Sequence, residues 1–336
     1  MTQGWRRSRL AGLALAATLA LSALAGCTAG DVTSLTSAGP MPRYEHIIVI
    51  VMENTTYDDI IGSSSAPTIN ALASKYGLAT NYWAVAHPSE PNYVAMIGGD
   101  TFGIGDDNSY KVNAVTVSNL ATQLEAARLT WKSYQQSMPY AGFAGETYPS
   151  GGNTLYASKH NPFMNFLGAW PAAERTQTLA HIVPDTQLAG DLKNAITFPN
   201  LAFISPDLCN DMHGASGCAS NLTATGDAYV NQAMQEITAS DIWTAHDTNT
   251  AVVVVWDEAE GAVSLGGPDG IAADGGHVAA LVLTNHGPRG LRDNTPYNHY
   301  ALLLSIQSAF GLSCLRNSCP QTGKIVAMSR LFAVSG

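Results

Sequence analysis

In Ala86-His87-Pro88-Ser89-Glu90-Pro91-Asn92-Tyr93 a serine lies between two prolines, with a histidine and a glutamate beside it. Proline fixes its own φ and disfavours helix at the residue before it, which predicts extended backbone at His87 and Glu90. Pro91 suits the first turn of a helix through Tyr93–Met96, where its missing N–H costs nothing. Ser89 then stands just before a helix N-terminus, where free N–H groups and the helix dipole favour an anion. A serine held against an anion can be a nucleophile toward phosphate. The same serine can also be an ordinary helix cap in a loop. Other residues have to decide between the two.

Acidic pairs supply the next clue. Glu53-Asn54, Ser205-Pro206-Asp207 and Asp257-Glu258 each follow an apolar, β-branched run, and a fourth run ends in Thr284-Asn285-His286. Ligand sites in open α/β sheets collect at the carboxyl ends of the strands. Acids converging on one edge repel unless a cation or a shared proton compensates. Glu53, Asn54, Asp257, Glu258 and the Ser89 hydroxyl are all oxygen donors, a set that favours Ca²⁺, Mg²⁺ or Mn²⁺ over a thiolate zinc site. A cation beside Ser89 would lower its pKa and polarise a phosphate oxygen.

The elements that must position these residues are legible from periodicity. His46–Met52, Leu201–Ile204, Ala251–Trp256 and Val278–Leu283 read as buried strands of a parallel sheet, with Ala79–Val85 as a fifth. Helical patterns lie between them at Pro67–Tyr76, Val117–Ala127, Gly226–Ala239 and Asn298–Phe310. This alternation argues for a layered α/β fold.

Residues 1–26 read as an export signal: a basic start through Arg6, Arg7 and Arg9, then an apolar stretch from Leu10 to Ala25. Leu24-Ala25-Gly26-Cys27 resembles a bacterial lipobox, so Cys27 is a candidate lipidation site and membrane anchor; cleavage and secretion is the alternative. Residues 27–42 form a Ser/Thr/Gly/Pro-rich tether, and residues 43–336 one catalytic domain. Charged residues make up 12% of the chain and the net charge is −10, without a basic patch, so nucleic acid is excluded as a partner. In an exported protein the pairs Cys209/Cys218 and Cys314/Cys319 are each natural local disulfides.

Together, Glu53-Asn54, His87-Pro88-Ser89-Glu90-Pro91-Asn92-Tyr93, Lys159-His160-Asn161-Pro162-Phe163, Asn210-Asp211-Met212-His213, Trp256-Asp257-Glu258 and His299-Tyr300 resemble the bacterial phosphoesterase family of acid phosphatases and phospholipases C. The resemblance runs from Tyr44 to about Leu312, and the secreted acid phosphatases are most alike. It implies an alkaline-phosphatase-like α/β/α fold with a mainly parallel central sheet. It makes Ser89 the nucleophile that forms a phosphoseryl intermediate. Glu53, Asn54, Ser89, Asp257 and Glu258 match metal positions, with Glu258 where many relatives carry aspartate. His160 and His213 match histidines that contact the phosphate, one of them a proton donor to the leaving oxygen. His87 and Asn92 would border the same pocket. Independently of the family, histidine titration near neutrality favours mildly acidic to neutral operation.

The remaining polar residues are assigned lesser parts. His277 opens a strand at the end away from the site and reads as structural, while His286, ending it, could reach the pocket. His299 starts the last helix near the same edge. Asp207 lies just before the Cys209–Cys218 loop and Asp211 within it, and Asp211 is favoured to orient His213. His46 and His181 read as non-catalytic and Asp100 as a turn residue.

The leading expectation is an exported, metal-assisted acid phosphatase acting on phosphorylated small molecules or phosphoinositide-type headgroups. A phospholipase C-type phosphodiesterase uses the same machinery. A binding lipoprotein that captures phosphate or a metal is the alternative from another class, and a Ser-His-Asp esterase lacks its G-x-S-x-G elbow.

Overall fold

The structure is a computed structural model that describes residues 40–261, 267–320 and 324–335. The expected export signal, Cys27 and all but the last three positions of the expected tether lie outside the described residues.

Valine- and isoleucine-rich runs make the sheet. Its strands are β1 (His46–Met52), β2 (Gly77–Trp83), β3 (Trp131–Gln135), β4 (Ile182–Pro184), β5 (Leu201–Ser205), β6 (Thr250–Trp256), β7 (His277–Thr284), β8 (Leu291–Asp293) and β9 (Tyr297–Asn298). Their order across the sheet is β8-β2-β7-β6-β1-β5-β3-β4, with β9 also pairing β2. Every residue of β1 and β6 is buried, as expected of strands covered on both faces.

The longer helices are α1 (Pro67–Lys75), α2 (Ser89–Gly98), α3 (Leu120–Ala126), α4 (Leu222–Thr238) and α5 (His299–Phe310). They flank the sheet, α1 packing on α4 and α2 on α5. Local chemistry sets their ends. Asn119 accepts from Thr122 N at 3.1 Å while the Thr122 hydroxyl accepts from Asn119 N at 3.0 Å, so α3 starts three residues later than the apolar pattern suggests. Asn298 caps α5 by accepting from Tyr300 N and Ala301 N, and Gly311 closes it at φ +70°.

One expectation is corrected. The sheet is mainly parallel, but β7 runs antiparallel to both β6 and β2. Its start, His277, therefore lies opposite Trp83 at the carboxyl edge, while His286 lies at the far edge with Nε2 2.9 Å from Ala245 O. The expected places of these two histidines are exchanged. A buried apolar run looks the same in either direction, because periodicity carries no polarity. His277 stays structural in its contacts, stacked between Tyr57 and Trp83 with Nε2 near Thr80 O.

Cys209–Cys218 and Cys314–Cys319 are both paired as expected. No helix among the described residues is long and apolar enough to cross a membrane.

A buried carboxylate joins two helices: Asp227 on α4 accepts from Thr68 N at 3.1 Å and Ile69 N at 2.8 Å, in the first turn of α1. Replacing it strands two N–H groups at a positive helix end. Asp227→Ala should cost about 2 kcal/mol, read as a lower urea midpoint at constant m-value.

Candidate active site

The central register brings the acidic pairs together. Met52 lies opposite Trp256, Asp257 N donates to Met52 O at 2.9 Å, and Glu53 N donates to Asp211 O at 2.7 Å. Three strand-end loops thus share backbone hydrogen bonds before any side chain is considered. The loop after β5 reverses at Met212, whose φ of +86° is rare for a large side chain and costs about 1–2 kcal/mol. Gly226 of α4 makes room for it: a Cβ there would lie 2.5 Å from Met212 Cε and 3.0 Å from Asn210 O.

Ser89 is the first residue of α2 and 1% exposed. Its Oγ is 3.0 Å from Glu53 Oε2 and 3.0 Å from Glu258 Oε1, so one hydroxyl proton serves either carboxylate. Glu258 also pairs through Oε2 with His87 Nδ1. Glu90, expected to be extended, is helical instead, since α2 begins one residue before it and Pro91 still falls within the first turn. Asp107 Oδ1 accepts from Glu90 N at 3.0 Å, so a carboxylate of the protein itself already uses part of this helix end. Asn92, expected to border the pocket, spends its amide on the loop: Oδ1 accepts from Val85 N and Ala86 N, and Nδ2 donates to Ala86 O and Pro88 O. It clamps the backbone that presents His87 and Ser89.

His160 is 2% exposed and stacked on Tyr93 at 5.1 Å. Its Nδ1 lies 3.3 Å from Asp211 Oδ2 and its Nε2 3.1 Å from Glu53 Oε1. Ser205 Oγ donates to His160 O at 2.7 Å, fixing this short segment to the end of β5. His213 keeps Nδ1 at 2.9 Å from Gly214 O, so Nδ1 carries the proton and Nε2 a lone pair. Asp211 holds the His213 backbone, accepting from His213 N at 2.7 Å, rather than its ring.

Electrostatics at this edge are lopsided. Glu53, Asp211 and Asp257 are 0% exposed and Glu258 5%. Burial raises Glu53 to about 7 against the pull of Lys159, and burial followed by the charge of Glu53 raises Asp211 and Asp257 well above the carboxylate range. Burial, then Lys159, holds His160 well below the usual imidazole range; burial also lowers His213.

These residues fit a divalent cation. Glu53 Oε1, Asp211 Oδ2, Asp257 Oδ2 and His160 Nε2 are buried without a hydrogen-bond partner. The Asn54 side-chain amide lies 3.2 Å from Glu53 Oε2 and 3.0 Å from Glu258 Oε1. It either donates NH₂ to both or shares a cation with them. Glu53, His160 and His213 each offer a ligand atom within 4.8 Å of one another. The expected oxygen set thus adjoins two imidazole nitrogens, which widens the suitable metals beyond Ca²⁺, Mg²⁺ and Mn²⁺.

Three residues here were given no role from sequence, or an undecided one. Lys159 Nζ lies 2.7 Å from Asp107 Oδ2 and 3.3 Å from His213 Nε2. A lysine beside a histidine in a chain so poor in charge was the available signal for it. Asp107, in a polar loop, carried none. His299 is buried, with Nε2–H donating to Asp257 O at 2.6 Å and Nδ1 3.1 Å from the Tyr82 hydroxyl, and burial lowers it to about 4. As a neutral imidazole it holds the turn after β6. His46 Nδ1 faces Pro199 O, His181 Nδ1 faces Trp131 O, and Asp100 accepts from Phe102 N in a turn.

Comparison with known proteins follows the same lines. The sequence pattern of the family described as Phosphoesterase family matches residues 63–313. Glu53 and Asn54 precede that match and join the site only through the fold. Phosphate-repressible acid phosphatase of Penicillium chrysogenum is 29% identical over 272 residues, which cover 81% of this chain and 60% of the fungal protein. A phosphatidylinositol-3-phosphatase of Mycobacterium tuberculosis is 31% identical over 311 residues, 93% of this chain and 89% of that protein. Among solved structures, an alkaline phosphatase superfamily protein from Vibrio parahaemolyticus aligns with TM-score 0.54 at 12% identity, covering 83% of this chain and 71% of the other. A lipoteichoic acid synthase from Listeria monocytogenes aligns with TM-score 0.53 at 11% identity, over 87% and 76%. At such identities the likeness shows the fold.

Metal-free protein should lose stability as pH rises from about 4.5 to about 7. Glu53 and Glu90, each raised from 4.5 to about 7 mainly by burial, bind protons more tightly folded than unfolded across that window. A divalent cation should remove the Glu53 part of the slope. Without cation Asp257→Asn should melt no lower than wild type, and added cation should raise the melting temperature of wild type far more than that of the variant.

Proposed function

We propose that this chain, which belongs to the phosphoesterase family, is a metal-assisted phosphatase that hydrolyses phosphate monoesters through Ser89. The observation that carries the reading is the Ser89 hydroxyl, set at a helix start between Glu53 and Glu258 beside buried ligand atoms that have no partner. Monoester transfer needs a positioned nucleophile, charge neutralisation and an acid for the leaving oxygen. A cation held by Glu53, Asn54, Asp257 and Glu258 would supply Lewis acidity toward the phosphoryl oxygens and ease the loss of the Ser89 proton.

The chain's own residues supply the rest. Ser89 Oγ attacks phosphorus, its proton passing to Glu53 or Glu258, while the bond to the leaving oxygen breaks. Lys159, aimed by Asp107, neutralises a phosphoryl oxygen. His213 is half-buried with its Nε2 lone pair toward the same space, whereas His160 is walled in by Tyr93, Glu53 and Asp211. His213 is therefore the proton donor to the leaving oxygen, and in the second step it takes a proton from the water that cleaves phosphoserine, while the carboxylate returns its proton to the departing Ser89 oxygen. A lowered His213 pKa places its protonated form on the acid side, which agrees with an acid phosphatase.

Both disulfides support an exported protein, and Leu24-Ala25-Gly26-Cys27 supports a lipid anchor at Cys27. Substrates would be phosphorylated small molecules or phosphoinositide-type headgroups.

Ser89→Ala should lower turnover of p-nitrophenyl phosphate by roughly a thousandfold or more, and a chelator should abolish turnover until metal is restored. Turnover of bis(p-nitrophenyl) phosphate alone would favour a phosphodiesterase. Phosphate binding without turnover of either ester would mean a binding protein. Lys159→Met should raise KM and the inhibition constant of inorganic phosphate about tenfold, with Lys159→Arg partly restoring both, while His213→Asn should lower turnover and flatten the alkaline limb of the pH profile.

A further inference from the structure

The space beside the candidate site has a chemistry of its own. A cleft of about 750 Å³ opens from Asn54 and His213 and is lined further out by Ser63, Asn221, Asp59 and Glu260. Its walls are the segment after β1, the segment joining the Cys209–Cys218 loop to α4, and the turn after β6. These walls are tied together: Asn221 Nδ2 donates to Ser65 Oγ at 3.1 Å, and the disulfide closes the loop behind His213. Hydroxyls, the amides of Asn54 and Asn221, two exposed carboxylates and the apolar Met212 and Leu222 line the cleft, and among the described residues no lysine or arginine does. By contrast, Lys159 faces His213 at the inner end, where a phosphoryl group would sit.

We infer that this cleft receives the leaving group and selects hydroxyl-rich, uncharged alcohols, so that the preferred substrates are polyol or sugar monophosphates. The inference rests on the phosphatase reading above. Serine, threonine and asparagine side chains offer both donors and acceptors, which match the hydroxyl groups of a polyol. Among the described residues a planar aromatic leaving group finds no aromatic wall in this cleft, and an acyl chain finds only Met212 and Leu222. A second phosphate would meet Asp59 and Glu260 with no cation to offset them, and like charges without compensation reject a ligand strongly. The same argument sets a free polyol phosphate above a phosphoinositide lipid, whose diester phosphate would remain attached to the leaving group.

The test compares kcat/KM for fructose monophosphate and fructose bisphosphate in wild type and in the double variant Asp59→Asn/Glu260→Gln, at low and high salt. Both positions are exposed, and the ratio of the two rates cancels any general loss of active protein. Wild type should favour the monophosphate by about tenfold at low salt, and both the double variant and added salt should shrink that preference severalfold. A wild-type ratio near one overturns the inference, as does a ratio that the double variant leaves unchanged. A Ser89→Ala control separates the failures. If it keeps full turnover, the nucleophile reading falls and takes the inference with it. If it is inactive while the ratio is flat, only the assignment of the cleft is wrong.

Discussion

Four carboxylates meeting at one edge of a buried sheet are the constraint on which the rest depends. Two unit charges about 4 Å apart repel by about 4 kcal/mol at the effective dielectric near a protein surface, and burial adds a desolvation cost for each ion. Such a group survives folding only if protons, a lysine or a cation neutralise it. Glu53, Asp211 and Asp257 respond by holding protons above the usual range, Lys159 lies beside them, and ligand atoms on Glu53, Asp257 and His160 stay unmatched. The arrangement is costly to stability and suited to chemistry, because the field that raises these acids also favours a cation beside Ser89.

Backbone connections carry that cost. The hydrogen bonds Asp257 N to Met52 O and Glu53 N to Asp211 O lock three strand ends in register, and fully buried β1 and β6 resist any slip. His299 tethers the carbonyl of Asp257, Asn92 clamps the loop ahead of Ser89, and the positive φ of Met212 re-aims the chain so that Asp211 and His213 serve the same site. Local strain at Met212 is offset by the disulfide and by the gap that Gly226 leaves in α4. Rigid placement of this kind lowers the reorganisation required when phosphate charge develops.

Asp107 shows how one residue couples distant parts of the chain. It accepts from the backbone at the start of α2 through one oxygen and holds Lys159 through the other. The helix that carries Ser89 and the only lysine in contact with the site's histidines, among the described residues, are thereby set by a single carboxylate. Distance from the sheet edge to solvent then falls in stages: enclosed His160, half-buried His213, and finally the hydroxyl-lined cleft.

Residue chemistry and strand-end position made much of the site legible in sequence. Glu53, Asn54, Asp257 and Glu258 stood out because oxygen donors directly after buried β-branched runs share one edge where the strands are parallel, and Ser89 because prolines and an apolar run announced a helix start. The fold class followed from alternating periodicities, and both disulfides from loop length and export. Direction, proximity and side-chain commitment were decided only in three dimensions. A buried run reads alike both ways, so the reversal of β7 exchanged the places of His277 and His286. Asn92 was unreadable because an amide offers the same atoms to substrate and to backbone, and only the closed loop shows which it took. Asp107 and Lys159 are 52 positions apart, and their pairing depends on a long-range contact that no local pattern encodes.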